Sequence, residues 1–347
     1  MNLETRPRPE LELVEALTPA ERAKAVAHYE RAAPLIASAF GAIPLTTLYL
    51  PAGFDGPEVR VGRVHGRVPP HIPTIAVTTA TGTYPYLALT PAILLWRVHA
   101  YAVGFESWTP TPADPLKVRF AHLNVTARGT ATRAMQRDAA RFVRAILNAQ
   151  GVDAFVTLDG PGIILWIPFD DAPSYPDVRA WAHALAARAA ASAPQLFESK
   201  RDTPPNRIRI FASSNAPGHE VALPYTLRPI PGLPLNLPIA WDELDVLAWD
   251  AYDVDNAAAR LAAGDVLATE IARIGAQRFA TLPHPAARPR EELAPLRESP
   301  APRSEVITLA LKILAAANRA PSNRSKKKRS RATSGRKTNA ANTSTPR

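Results

Sequence analysis

Along most of the chain, segments with an apolar residue every three to four positions alternate with shorter runs in which every second residue is apolar, the spacings of helices and strands respectively. Thr18-Pro19-Ala20-Glu21 forms a capping box with proline at the first helical position. It opens an amphipathic helix to about Phe40, where Gly41 stops it. Residues 44–50 and 72–79 read as strands, 91–103 as a buried helix and 117–125 as an alternating strand. Residues 131–150 predict a helix closed by Gly151, and two apolar segments, 153–158 and 162–169, flank the turn Asp159-Gly160-Pro161 as a strand pair. An Ala-rich helix over 176–193, strands over 207–212 and 220–227, and a last helix over 255–274 with an Asp cap complete the pattern. The order gives an α+β class without internal repeats.

After Pro283 the pattern dissolves. Pro285, Pro289, Pro295, Pro300 and Pro302 alternate with charged residues, so 286–303 reads as a linker that follows a single domain over 1–285. One island remains, 304–320, whose Val306, Ile307, Leu309, Leu311, Ile313 and Leu314 predict a short helix, apolar nearly all round, that docks on its own domain or on a partner.

Charge changes the picture most. The chain has 347 residues and 41 Lys and Arg against 31 Asp and Glu, yet ten of the basic residues lie in 319–347, where no acidic residue occurs. Without those ten, the remaining 31 basic groups balance the 31 acidic ones, so the globular part is neutral. Residues 321–347 therefore read as a disordered polycation, densest at Lys326, Lys327, Lys328, Arg329 and Arg331, whose natural partner is nucleic acid. A second basic run, Arg60, Arg63, His65, Arg67 and His71, is a candidate DNA contact. The chain has no cysteine, which excludes disulfides, thiolate zinc sites and a cysteine nucleophile. The N-terminus lacks the apolar core of a signal peptide, and Arg97 and His99 interrupt the longest apolar run, 91–105. A cytoplasmic, nucleoid-associated protein with no membrane contact is expected. The six tryptophans are scattered singly and read as core.

Four segments carry a resemblance: AHYERAAPLIASAFGAIPLTTLYLPAGFDG (27–56), LTPAILLWRVHAYAVGFESW (89–108), PNRIRIFASSNAPGHEVALPYTLRP (205–229) and WDEL (241–244). In this order and spacing the chain, over about 11–274, resembles the polymerase domain of bacterial DNA ligase D, the end-joining branch of the archaeo-eukaryotic primase superfamily. The resemblance implies a primase-like α+β fold with mixed or antiparallel sheets flanked by helices. That family transfers nucleotides by two-metal chemistry, which needs clustered carboxylates. Its Asp-Leu-Asp motif matches His122-Leu123-Asn124, and the aspartate of its third motif matches Phe211. Its triphosphate-binding motif matches residues 158–164, where only Gly162 is kept, its histidine before the motif tryptophan matches Glu106, and a basic pair matches Leu48-Tyr49. Arg228, Ser213 and Asn215 are the retained candidates for nucleotide or phosphate contact. In the region of Arg60, Arg63 and Arg67 the family engages a DNA 5′-phosphate.

The expected function is that of a catalytically degenerate homologue, a pseudoenzyme without metal or cofactor, with a DNA-binding or scaffolding role in non-homologous end joining. DNA is the expected partner, together with the Ku end-binding protein or a ligase. The alternative is an active template-dependent nucleotidyltransferase using Mn²⁺ or Mg²⁺ with nucleoside triphosphates, its metal ligands displaced to residues such as Glu106, Asp159, Asp170, Asp171 or Asp202. The third is a protein-interaction module in which helix 304–320 engages a partner and the tail localises the chain to the nucleoid.

Overall fold

The 22-residue amphipathic run that follows Thr18 becomes helix α1 (Pro19–Phe40) in the computed structural model. The structure describes residues 17–283 apart from 52, 65–69, 80, 161, 199–205 and 249–250. The capping box is present: Thr18 Oγ1 accepts the Glu21 N–H at 3.2 Å, and Glu21 Oε2 accepts the Thr18 N–H at 2.8 Å. The linker 286–303, the apolar segment 304–320 and the tail 321–347 lie outside the described residues.

Strands β1 (Pro44–Tyr49), β2 (Val59–Val61), β3 (Thr74–Thr79) and β4 (Gly82–Ala88) follow, then helix α2 (Pro91–His99) and β5 (Gly104–Ser107). Next come β6 (Phe120–Ala127), α3 (Arg133–Asn148), the pair β7 (Phe155–Asp159) and β8 (Gly162–Pro168), α4 (Tyr175–Ser192) and β9 (Ile208–Phe211). The described part closes with β10 (Val221–Ala222), β11 (Asn236–Ile239), α5 (Ala257–Ala262) and α6 (Val266–Ile274). The first sheet has the order β10-β5-β1-β4-β3 with β2 on β1, and the second has β11-β7-β8-β6-β9. Every strand pairing within them is antiparallel. Phe40 at the end of α1 packs on Phe120 and Trp166, and Trp166 stacks on Phe155 at 5.8 Å. Trp108, Trp166 and Trp181 are fully buried, as expected of core residues, while Trp249 lies outside the described residues. Among the described residues no helix is long and apolar enough to cross a membrane.

Three predicted elements change. The helix over 91–103 stops at His99, because Tyr101 takes a φ of 70° and turns the chain into β5. Arg22 fixes that turn by stacking on the Tyr101 ring at 3.7 Å and donating to the His99 carbonyl at 2.7 Å. The helix over 255–274 is two helices, broken where Gly264 adopts a φ of 137°. The aspartate cap belongs to Asp265, whose carboxylate accepts the Ala268 N–H at 3.1 Å, whereas Asp255 pairs with Lys24. The strand over 220–227 shrinks to Val221–Ala222, since Tyr225 has a φ of 67° and the chain folds back. Strands β2, β4, β5 and β11 had no separate sequence signal; β11 contains Pro238, which an edge strand tolerates.

Candidate functional site

Alternation along β6 puts His122 and Asn124 on one face of the second sheet, and Phe211 of β9 is the register partner of Asn124. The three positions that the resemblance sets against the family's carboxylates are thus neighbours. His122 is wholly buried and neither ring nitrogen has a hydrogen-bond partner. Burial, aided by the charge of His219, lowers its pKa to about 3, so the imidazole is neutral. Asn124 Oδ1 is likewise without a partner. A neutral imidazole, a carboxamide and a phenyl ring do not suit Mg²⁺ or Mn²⁺, which favour charged oxygen ligands. Among the described residues no group of three histidines or carboxylates is arranged to hold a metal ion.

Asn215, a candidate for nucleotide contact, makes three hydrogen bonds to the backbone. Strand β9 ends opposite Asn124, which leaves the His122 backbone without a neighbour on that edge. Asn215 substitutes for the strand: its Oδ1 accepts the His122 N–H at 2.9 Å and its Nδ2 donates to the His122 carbonyl at 2.8 Å and the Ala212 carbonyl at 3.0 Å. Its amide is spent on the fold. Ser213 is half-buried in the same loop.

Arg228 sits where the two sheets meet. Its segment is fixed from several sides: Tyr29 Oη donates to the Val103 carbonyl at 2.9 Å and accepts the Leu227 N–H at 3.0 Å, and the Arg228 N–H donates to the Pro234 carbonyl at 2.7 Å. Gly104 permits the crossing, because a Cβ there would stand 2.6 Å from the Leu227 carbonyl oxygen. The Arg228 guanidinium then reaches Asp159 Oδ1 of β7 at 2.8 Å through Nε and Glu106 Oε1 of β5 at 3.4 Å through Nη1. Arg60 approaches Glu106 Oε2 at 3.0 Å and Glu58 Oε1 at 2.6 Å. Charges alternate along the row Glu58, Arg60, Glu106, Arg228, Asp159. Burial raises the pKa of Glu106 and of Asp159, and the arginines oppose that rise.

The other candidates have partners within the fold. Arg228 was expected to face phosphate, but its guanidinium is committed to two carboxylates. Arg60 and Arg63 were expected to contact DNA; Arg60 joins the ion-pair row, and Arg63 lies over the Tyr84 ring at 3.7 Å. Arg67, Lys326, Lys327, Lys328, Arg329, Arg331 and Asp202 lie outside the described residues. Of the carboxylates weighed as displaced ligands, Glu106 and Asp159 meet only through Arg228. Asp170 and Asp171 lie elsewhere and hold a later segment: Asp171 accepts the Phe279 and Ala280 N–H groups at 2.9 and 2.8 Å, and Asp170 accepts that of Gln277 at 3.0 Å.

Glu220 and Glu58 were not singled out from the sequence. Glu220 Oε1 accepts from Thr46 Oγ1 at 3.2 Å, and Thr46 is the register partner of Glu106. Burial, reinforced by the nearby Glu106 charge, raises the Glu220 pKa from 4.5 to about 7. The folded protein thus holds this proton up to about pH 7 while the unfolded chain releases it near pH 4.5, so Glu220 makes stability fall as pH rises through that window. Glu220→Gln is expected to stabilise the protein at pH 8 by up to about 3 kcal/mol and to change little at pH 4. Chemical denaturation at the two pH values measures the difference.

The polymerase domain of Mycobacterium tuberculosis ligase D, solved in complex with DNA, superposes on this chain with a TM-score of 0.63 at 22% sequence identity, covering 78% of this chain and 96% of that one. The shared architecture is therefore the α+β fold of a polymerase domain. The description "LigD, primase-polymerase domain" matches residues 22–267, and the chain belongs to that family. No curated protein sequence matches it.

Proposed function

We propose that this chain is a catalytically degenerate primase-polymerase homologue that acts as a DNA-binding or scaffolding component in non-homologous end joining. The observation that carries the reading is the replacement of the family's carboxylate cluster by His122, Asn124 and Phe211 on one sheet face, with the two nearest alternatives, Glu106 and Asp159, tied to Arg228. Two divalent ions and a triphosphate need negatively charged ligands, and His122, Asn124 and Phe211 supply no negative charge. DNA as partner is supported by the DNA-bound state of the similar mycobacterial domain and by the basic tail. The Ku end-binding protein and a ligase are the protein partners to try first.

The binding half of the proposal is tested by salt titration. If the tail neutralises about 6 to 10 phosphates, log K for duplex DNA falls with log salt at a slope of about −5 to −9. Truncation after Asn318 is expected to remove most of that slope, because residues 1–318 are neutral. A truncated protein that binds DNA as tightly and as salt-sensitively as the full chain would assign the affinity to the domain and refute the role given to the tail.

A further inference from the structure

Strand β3 forms one edge of the first sheet, and among the described residues it pairs with β4 alone. The Ala88 N–H donates to the Pro73 carbonyl at 3.0 Å, which makes Pro73 and Ala88 a hydrogen-bonded pair. In an antiparallel ladder such pairs alternate with unbonded ones, so Ile75, Val77 and Thr79 turn their backbone groups to β4. Thr74, Ala76 and Thr78 therefore turn theirs outward. Among the described residues nothing bonds to these three N–H groups and three carbonyls. Thr74, Ala76 and Thr78 are exposed, whereas on the opposite face Ile75 is half-buried and Val77 fully buried. An unpaired edge is a template for another strand, and folded proteins guard it with charges, prolines or bulges. β3 has none of these guards: residues 72–96 hold no charged side chain, Pro73 precedes the strand, and the ladder with β4 runs without a bulge.

We propose that a second copy of this chain pairs with β3, antiparallel and two-fold symmetric, with Ala76 opposite the partner's Ala76. The segment Thr74-Ile75-Ala76-Val77-Thr78 reads alike from both ends, with alanine at its centre, a β-branched aliphatic on either side and threonine outside these. In that register Thr74 meets the partner's Thr78, and Ile75 meets the partner's Val77 on the buried side. Threonine pairs and β-branched pairs are both favourable across antiparallel strands. Thr74, Ala76 and Thr78 each enter a hydrogen-bonded pair, so all the outward N–H and carbonyl groups are satisfied at once. Pro73 falls opposite the partner's Thr79 at an unbonded position, where its missing N–H costs nothing. Neither strand carries a charge, so two like copies meet here without the repulsion that a chain of net charge +10 otherwise imposes. β3 has one free edge, so the pairing consumes it and the assembly closes at two copies. The contact is small, which makes the dimer reversible. It rests on no feature assigned to the cleft or to the tail.

The test uses the full-length chain, treated with nuclease and held at elevated salt so that nucleic acid does not bridge two copies. Sedimentation velocity at rising protein concentration is expected to show a reversible monomer–dimer equilibrium. Ala76→Lys sets two ammonium groups face to face at the symmetry axis, and Ala76→Pro removes a donor that the β3–β4 ladder does not use. Each is expected to abolish the dimer, and Ala76→Lys, at an exposed position, carries the test if Ala76→Pro does not fold. Register is read by disulfide cross-linking, because the chain has no cysteine of its own. Across the axis Ala76→Cys faces itself at a Cα separation of about 5.5 Å, within reach of a disulfide, whereas Thr74→Cys stands about 14 Å from its own copy, four residues of strand away. Oxidation is expected to couple Ala76→Cys into dimers, to leave Thr74→Cys and Thr78→Cys monomeric when each is alone, and to couple those two when they are mixed. A chain that is monomeric at every concentration, its edge left to a strand from elsewhere in this chain or from a different protein, overturns the proposal. Equal cross-linking of all three single variants, or a dimer that Ala76→Lys leaves intact, overturns it as well.

Discussion

Replacing Arg228 with alanine is expected to destabilise the folded domain by about 3 kcal/mol, equivalent to a fall in melting temperature of roughly 6–12 °C for a domain of this size. The guanidinium pairs with both Glu106 of the first sheet and Asp159 of the second. Without it, Asp159 is a largely enclosed carboxylate with no ion-pair partner among the described residues, and Glu106 keeps only Arg60. Breaking a buried pair from one side costs far more than the pair contributes net, because the surviving charge has no water to return to. Burial already raises the pKa of both carboxyls, so in the variant they take up protons more readily. The loss should accordingly be largest near pH 8 and shrink as pH falls towards 5. Arg228→Lys should recover little, since one ammonium cannot bond two carboxylates through separate nitrogens in the way Nε and Nη1 do. Melting curves of the three proteins across that pH range check the prediction; an Arg228→Ala protein as stable as wild type at pH 8 contradicts the bridging role.

The fold was legible in the sequence where a local rule decided it. The capping box at Thr18 and the turn between β7 and β8 need no information from elsewhere in the chain. The spacing of the resembling segments carried the topology, and it brought His122, Asn124 and Phe211 together although 87 residues separate the last two. Elements went unread where tertiary contacts decide: β5 exists because Gly104 lets the Leu227 carbonyl approach, and β11 because β7 accepts a proline-containing edge. The site was half legible. The absence of carboxylates could be read from residue types alone, whereas the commitment of Arg228 to Glu106 and Asp159 could not, since neither residue is within 60 positions of it in the chain. Glu58 and Arg60 were two residues apart, but only the existence of β2 shows that they share a face.

Restoring the three carboxylates with His122→Asp, Asn124→Asp and Phe211→Asp together is expected to leave the protein without polymerase activity. By the resemblance, residues 158–164 stand where the family binds triphosphate and share only Gly162 with that motif, and Arg228 is paired with Glu106 and Asp159. Metal ligands without a cradle do not position a substrate, and positioning accounts for much of the rate in phosphoryl transfer. Three aspartates in the same cleft would also repel one another, so circular dichroism of the triple variant should accompany its assay. A folded triple variant that synthesises DNA would mean that the pocket has kept its shape.

The most direct measurement is primer extension by the wild-type chain itself. Recessed and gapped duplexes are incubated with ribo- or deoxyribonucleoside triphosphates in Mn²⁺ and in Mg²⁺, and the products are resolved by length. The account predicts no extension under any of these conditions, because the charge that develops on the transferring phosphoryl group has no counter-charge in the cleft. Metal-dependent extension by the wild-type chain that disappears in Glu106→Ala or Asp159→Ala would contradict it and identify an active nucleotidyltransferase with displaced ligands.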